Sequence, residues 1–442
     1  MSQFRFARLA LMLAAIGLNA APALMHSASA QDKAAPAAAQ PPADAVRPEL
    51  FKLLDPAQIK PLMDAKNYTE VQNRVTQAEA VQNRTPYENY VLNRMKLSLA
   101  TATNNEQASA AALEAILNSG KLPAADQPNF MQALAGTYYN AKNYPKAIEW
   151  FQRYQKDFPA QAESVNAPLV RSYYLSGDYA TAVKMLRPVI DAQEKAGKTP
   201  TSEDLRMYAS AANKVKDEAG YVYGLEKLAA YYPTDDYWID TINRGVIRRP
   251  GFNQDAYITD VLRLQFAAVQ KLSPETYVDL AELALKDGFP TEAKKVVDAG
   301  FAAGVLGTGG SAAAHRQLRD RATKEAANDA KNIASGEASA SKSKNGAGLV
   351  NLGWAYVSME QYDKGIGFIE QGIAKGGLKS PDEAKLRLGM AYAQAGKKDQ
   401  AIKTFETVKG NGGAADIAKY WIVLVNHPRT GAGATAAATA AQ

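Results

Sequence analysis

The chain has 442 residues, 47% of them apolar, so it can bury one large core or several smaller ones in series, and disorder throughout is excluded. It has no cysteine, which removes disulfides, thiolate nucleophiles and metal-thiolate sites. A formal charge of +6, spread along the sequence without a basic stripe, argues against nucleic acid as a partner.

Residues 1–30, MSQFRFARLALMLAAIGLNAAPALMHSASA, place Arg5 and Arg8 ahead of an apolar run and end on Ala28-Ser29-Ala30. That is the pattern of a secretory signal peptide cleaved before Gln31. The alternative, an N-terminal anchor, is disfavoured because the run from Leu9 to Ala23 is short and broken by Gly17 and Asn19. Loss of the two arginines lowers the formal charge to about +4, which reads as a mixed solvated surface. No later segment reaches the ~18–20 continuous apolar residues of a spanning helix. The expectation is an exported protein, periplasmic or, as the alternative, secreted, without stable membrane insertion; a large exported chain lacking disulfides suits a bacterial periplasm.

Residues 31–48 are Ala/Pro-rich and read as a linker, and 426–442 as a disordered, low-complexity tail. Between them apolar residues recur at helical spacing in short blocks, which predicts an all-α fold. One phrase repeats: NYPKAIEWFQRYQKDFP, from Asn143, returns as QYDKGIGFIEQGI, from Gln361. Aligning on Ala147 brings Ala182, Ala293, Gly365 and Ala401 into register, at intervals of about 35 residues or multiples of it. In the clearest copy the first helix carries Leu134, Ala135 and Tyr138, and the second Tyr144, Ala147, Phe151 and the closing Pro159. Leu352, Gly353, Tyr356, Gly365 and Ile369 repeat the scheme, as do Leu388, Gly389, Tyr392, Ala401 and Phe405. Small residues belong where paired helices approach most closely, and large ones fill the gaps between units. Asn143, Gly177-Asp178 and Gly396 supply turns.

These residues resemble the tetratricopeptide repeat (TPR). The resemblance implies a right-handed superhelical solenoid of helix-turn-helix units, about eight or nine here. An N-terminal array is expected over 49–303 and a C-terminal repeat pair plus capping helix over 349–425, the cap itself from Ala415 to Val425. Segment 304–348 is polar and atypical; it replaces a repeat, either as a bracing helix or as a hinge. The stretch YYPTDDYW and the helices up to Gly304 also show a weak similarity to exported repeat proteins associated with TonB-type systems.

Catalytic chemistry is thinly supplied. Beyond residue 30 only His315 and His427 occur, expected as passive surface residues, and no HExxH, GxSxG or P-loop ending is present. GVLGTGG reads as an interhelical loop, and Asp235-Asp236 as the start of a helix. The chain is therefore expected to be no enzyme, with no catalytic residue, cofactor or metal.

The resemblance implies that first helices line a concave groove. Residues there fall near the second, fifth, ninth and twelfth positions of each first helix. They are Gln132, Tyr139, Arg171, Tyr174, Arg206 and Asn213, a row of amides, phenols and guanidinium groups suited to an extended peptide with acidic side chains. Gln132, Gly136 and Ala167 stand where a carboxylate clamp would need Lys and Asn, so that clamp is not expected. Nearer the C-terminus the same phase selects Val350, Trp354, Val357, Leu386 and Met390, an apolar strip that either grips a hydrophobic partner segment or is covered by the cap. The preferred function is a periplasmic scaffold or adaptor binding envelope proteins or peptides, in assembly or transport. Alternatives are an envelope enzyme or transport accessory binding a glycan or small molecule, with Glu275 and Glu282 the only obvious acidic pair on a first helix, and a self-associating structural protein.

Overall fold

The computed structural model describes residues 44–429. The expected signal peptide, most of the Ala/Pro-rich linker and the tail after Arg429 lie outside the described residues. The chain forms two compact units, divided between Met185 and Leu186.

Unit 1 contains α1 (Pro48–Leu54), α2 (Pro56–Asp64), α3 (Tyr68–Ala80), α4 (Pro86–Ala102), α5 (Glu106–Asn118), α6 (Gln127–Asn140), α7 (Tyr144–Asp157), α8 (Asn166–Ser176) and the start of α9 (Tyr179–Lys195). The starts are written in the sequence. Asp55, Asn67, Asn105 and Asn143 each accept a backbone N–H of the first turn, and Thr85 with Glu88 forms a capping box. Packing runs chiefly between consecutive helices from α4 to α8. Ala135 and Ala147 are buried together with Phe151 and Tyr154 in one core, small residues at the close approach and rings in the gaps.

Unit 2 continues with α10 (Ser202–Lys214), α11 (Glu218–Tyr231), α12 (Asp235–Ile242), a π-helical turn (Asn243–Ile247), α13 (Gln254–Ala268), α14 (Pro274–Lys286) and α15 (Pro290–Ala302). Then come α16 (Ala312–Lys342), α17 (Ala347–Ser358), α18 (Tyr362–Lys375), α19 (Pro381–Gln394), α20 (Lys398–Glu406) and α21 (Ala414–Asn426). The pairs α10–α11, α14–α15, α17–α18 and α19–α20 are close-packed antiparallel units of the kind the repeat implies. In α17–α18 the contact is made by backbone: a Cβ on Gly353 would lie 2.5 Å from the Gly365 carbonyl oxygen, and one on Gly372 would lie 2.7 Å from that of Gly346. Phe405 takes the same role against Gly389, 2.5 Å from where a Cβ would stand.

The polar segment 304–348 lies inside unit 2 and is mostly one helix, α16, of 31 residues. It packs first on α14 and α15 and then on α17, burying Leu318, Ala322 and Ala326. Its polar surface is tied down by Arg319 to Asp298 (2.6 Å), Arg321 to Glu282 (3.0 Å) and Lys364 to Glu337 (2.7 Å).

The last helix does more than cover the last repeat. α21 packs on α20 and α19, and also on α13, α11 and the π-helical turn. Unit 2 is therefore closed on itself. His315 is not a surface residue, which corrects the sequence expectation for it, and His427 keeps only part of its surface. His315 is buried at the start of α16, where its Nδ1 accepts the Gly307 N–H at 3.2 Å. His427 is half-buried, edge-on to the Tyr231 ring at 5.0 Å.

Candidate functional site

The polar-aromatic row falls on α6, α8 and α10. In unit 1, Gln132 and Tyr139 on α6 and Arg171 and Tyr174 on α8 are all half-buried. The two tyrosines are held alike. Tyr139 stands edge-on to Tyr144 at 5.8 Å, and Tyr174 edge-on to Tyr179 at 5.3 Å, so each first helix ends in a ring braced by the first residue of the next helix. Arg206 and Asn213, on α10 in unit 2, are exposed. Gly136 is buried and Ala167 exposed, and neither offers a group to clamp a carboxylate.

The apolar strip requires a correction. Val350, Trp354, Val357, Leu386 and Met390 are at most 4% exposed and belong to the main core of unit 2. They do not form a partner-binding surface in this structure. Closure by α21 and the approach of α13 and α15 cover them, and water-exposed apolar surface of that extent would be costly. Trp354 shows how completely: its indole N–H donates to Glu292 at 2.9 Å and the Arg263 guanidinium lies 4.9 Å from its ring centre.

Around Trp354 lies an ionic cluster that no sequence motif announced. Arg263 grips Glu292 with two bonds of 2.8 Å and Asp260 with a third of 2.9 Å. Arg387 bonds Asn351 at 2.7 Å and Glu383 at 2.5 Å, and its guanidinium stands 5.2 Å from the Phe289 ring centre. The cluster joins α13, α15, α17 and α19 from within. Burial pushes the Asp260 carboxyl above its usual range, with Arg263 and Arg387 opposing. At Glu292 the balance tips the other way: burial pushes up, but the charge and hydrogen bonds of Arg263 hold the carboxyl below its ordinary value. Arg263 is correspondingly raised. These carboxylates are neutralised by their partners, which suits a structural tie better than proton transfer. Only Asp260 and Arg263 leave a local trace in the sequence, interrupting the apolar run of YITDVLRLQFAA at i, i+3 spacing; nothing local points to Glu292 or Arg387.

Glu275 and Glu282 do not form an acidic pair with free charge. Glu282 bonds Arg321, and the Glu275 carboxylate is lowered by hydrogen bonds from its own backbone and Ser273 at the start of α14. Asp235 starts α12, with Thr234 as the capping residue, and has a second task. It accepts the backbone N–H groups of Gln270 and Lys271 and a bond of 2.6 Å from Arg429. Among the described residues no group of His, Asp and Glu has the arrangement to hold a metal ion, and no helix is long and apolar enough to cross a membrane.

No curated protein sequence matches the chain. Among solved structures it is similar to one titled "Structure of Naa15/Naa10 bound to HypK-THB", at 14% identity and a TM-score of 0.30, over 81% of this chain and 57% of that one. This chain thus spans a little over half the length of that neighbour. Two family models, both described as tetratricopeptide repeat, match residues 97–162 and 383–411. The first covers α5, α6 and α7 and the second α19 and α20, so the chain carries tetratricopeptide repeats in both of its compact units.

Proposed function

We propose that this chain is a non-catalytic interaction scaffold that binds a protein or peptide segment along the first helices of unit 1. The observation that carries the reading is a contrast between α6 and α8 in unit 1 and α17 and α19 in unit 2. In unit 1 the residues at groove-facing phase, Gln132, Tyr139, Arg171 and Tyr174, are polar or aromatic and retain exposure. In unit 2 Arg206 and Asn213 on α10 are also exposed. Further along, on α17 and α19, the residues at the same phase, Val350, Trp354, Val357, Leu386 and Met390, are buried against the chain itself. The chemistry of the unit 1 row suits an extended backbone carrying acidic side chains: amide and phenol groups hydrogen-bond the main chain, and a guanidinium takes a carboxylate. The absence of a catalytic role is part of the proposal, supported by the pairing of the interior carboxylates with Arg263 and Arg387.

The proposed setting is the cell envelope, reached by export. Support comes from the signal-type segment 1–30 and the lack of cysteine. The test is crosslinking and recovery of partners from native periplasm with wild type, Arg171→Glu and Trp354→Ala. Arg171→Glu should lose the partner with helicity unchanged, and Trp354→Ala should retain it. Unchanged recovery with Arg171→Glu would remove the unit 1 row from consideration.

A further inference from the structure

We propose that α21 is an intramolecular ligand of unit 2, and that unit 2 is a receptor for an amphipathic helix filled by the chain's own C-terminal segment. This concerns unit 2 alone and stands whether or not the unit 1 row binds a partner. A helix that merely ended the stack would touch the last pair. α21 instead reaches past α19 and α20 to α13, α11 and the π-helical turn, elements about 150 to 200 residues earlier in the chain.

Three kinds of contact recognise it. Ile417, Ala418, Tyr420, Trp421 and Leu424 are buried along one side, at the spacing by which a bound helix presents its anchors. A steric notch selects Tyr420: Gly245, in the π-helical turn, has no side chain where the Tyr420 hydroxyl sits, and a Cβ there would lie 2.0 Å from that oxygen. Ion pairs then fix position and direction. Arg249 holds Asp416 in the first turn, Lys419 holds Glu226, and beyond the last turn Arg429 bonds Asp235 at 2.6 Å and the Ala268 carbonyl at 2.8 Å. An acid at the start, an apolar stripe and a basic residue after the end form the address that the receptor reads.

The connection to the rest of the chain is short and glycine-rich. Lys409-Gly410-Asn411-Gly412-Gly413 leads into α21, with Gly412 and Gly413 at φ of 77° and 113°, a region that favours glycine. A polar cleft of about 380 Å³, lined by this turn and by Arg249, Pro250 and Phe252, leaves Asn411 open to solvent, while Gly413 is buried and the Gly412 carbonyl accepts the Asn253 N–H at 2.9 Å.

The test uses the full chain with a protease recognition sequence inserted at Asn411, which is exposed. After cleavage the C-terminal fragment should stay bound at unchanged helix content. A labelled synthetic peptide of residues 412–429 in excess should exchange into the cut protein, and the Trp421→Ala peptide should do so at least tenfold more weakly. A second variant, Gly245→Val, fills the notch and should release the fragment on cutting while helix content is kept. The proposal is overturned by collapse of helix content on cleavage of the unsubstituted chain, by failure of the peptide to exchange, by equal exchange of both peptides, or by equal retention in Gly245→Val.

Discussion

Glu88 shows how a single buried charge ties the start of α1 to α4. Its carboxylate is fully buried and accepts from Arg47 Nε at 2.9 Å, from the Arg47 backbone N–H at 2.9 Å and from the Thr85 N–H at 2.8 Å. Burial alone would raise its pKa, but those bonds hold it below the ordinary value. A depressed folded pKa means the stabilisation is complete above the unfolded carboxylate value of about 4.3 and is lost as pH falls through the folded value. Glu88→Gln should therefore cost unit 1 about 1.5–3 kcal/mol at neutral pH, and the gap from wild type should close in acid, as read by urea unfolding at several pH values. A gap that stays constant down to strongly acidic pH would refute the ion pair. Gly353 is the steric counterpart. Gly353→Ala places a methyl against the Gly365 carbonyl and should destabilise unit 2 by about 1–3 kcal/mol, where an alanine in an exposed helix would stabilise. At this scale the packing residues were legible in sequence, because the demand for a small residue at each close approach is local. The cluster of Asp260, Arg263, Glu292 and Arg387 was not, since its members come from three helices spread over more than a hundred residues.

Among the elements, α16 best separates what composition says from what a helix does. A stretch poor in large apolar residues could read as a hinge, yet it spans about 46 Å at 1.5 Å per residue and is seated by His315, Leu318, Ala322 and Ala326 buried along one side. Leu318→Ala should cost about 2–4 kcal/mol in denaturant unfolding, whereas Lys324→Ala, on the exposed side, should stay within about 0.5 kcal/mol. Equal small effects would mean that α16 is loosely held. The C-terminal helix was legible as a cap from Trp421 and Leu424, and its observed span, Ala414–Asn426, lies within a residue of the expected bounds. What it would touch was not legible. Its contacts with α11 and α13 depend on rotations accumulated over several repeats, which no local pattern encodes.

Across the whole molecule, the same repeat is put to two uses. Unit 1 keeps a row of polar and aromatic groups at groove-facing phase, α10 of unit 2 still carries the exposed Arg206 and Asn213, and α17 and α19 turn the corresponding positions into core. The groove residues were chosen from sequence by phase, and phase says which way a side chain points. It does not say whether the space ahead is empty, which is why Trp354 read as a binding residue and is a packed one. The two compact units should respond separately: in calorimetry Glu88→Gln should shift only the transition of unit 1, and Trp354→Ala only that of unit 2, the latter by about 3–5 kcal/mol. A single transition shifted alike by both would contradict separate cores.

The central claim, that a partner is taken by the first helices of unit 1 and not by the interior of unit 2, is tested most directly by amide hydrogen exchange on the full chain, free and bound to the partner isolated by crosslinking. The account predicts new protection in Gln127–Asn140 and Asn166–Ser176, with Ala347–Ser358 and Pro381–Gln394 unchanged. Protection gained in the latter pair, with none in the former, would contradict it.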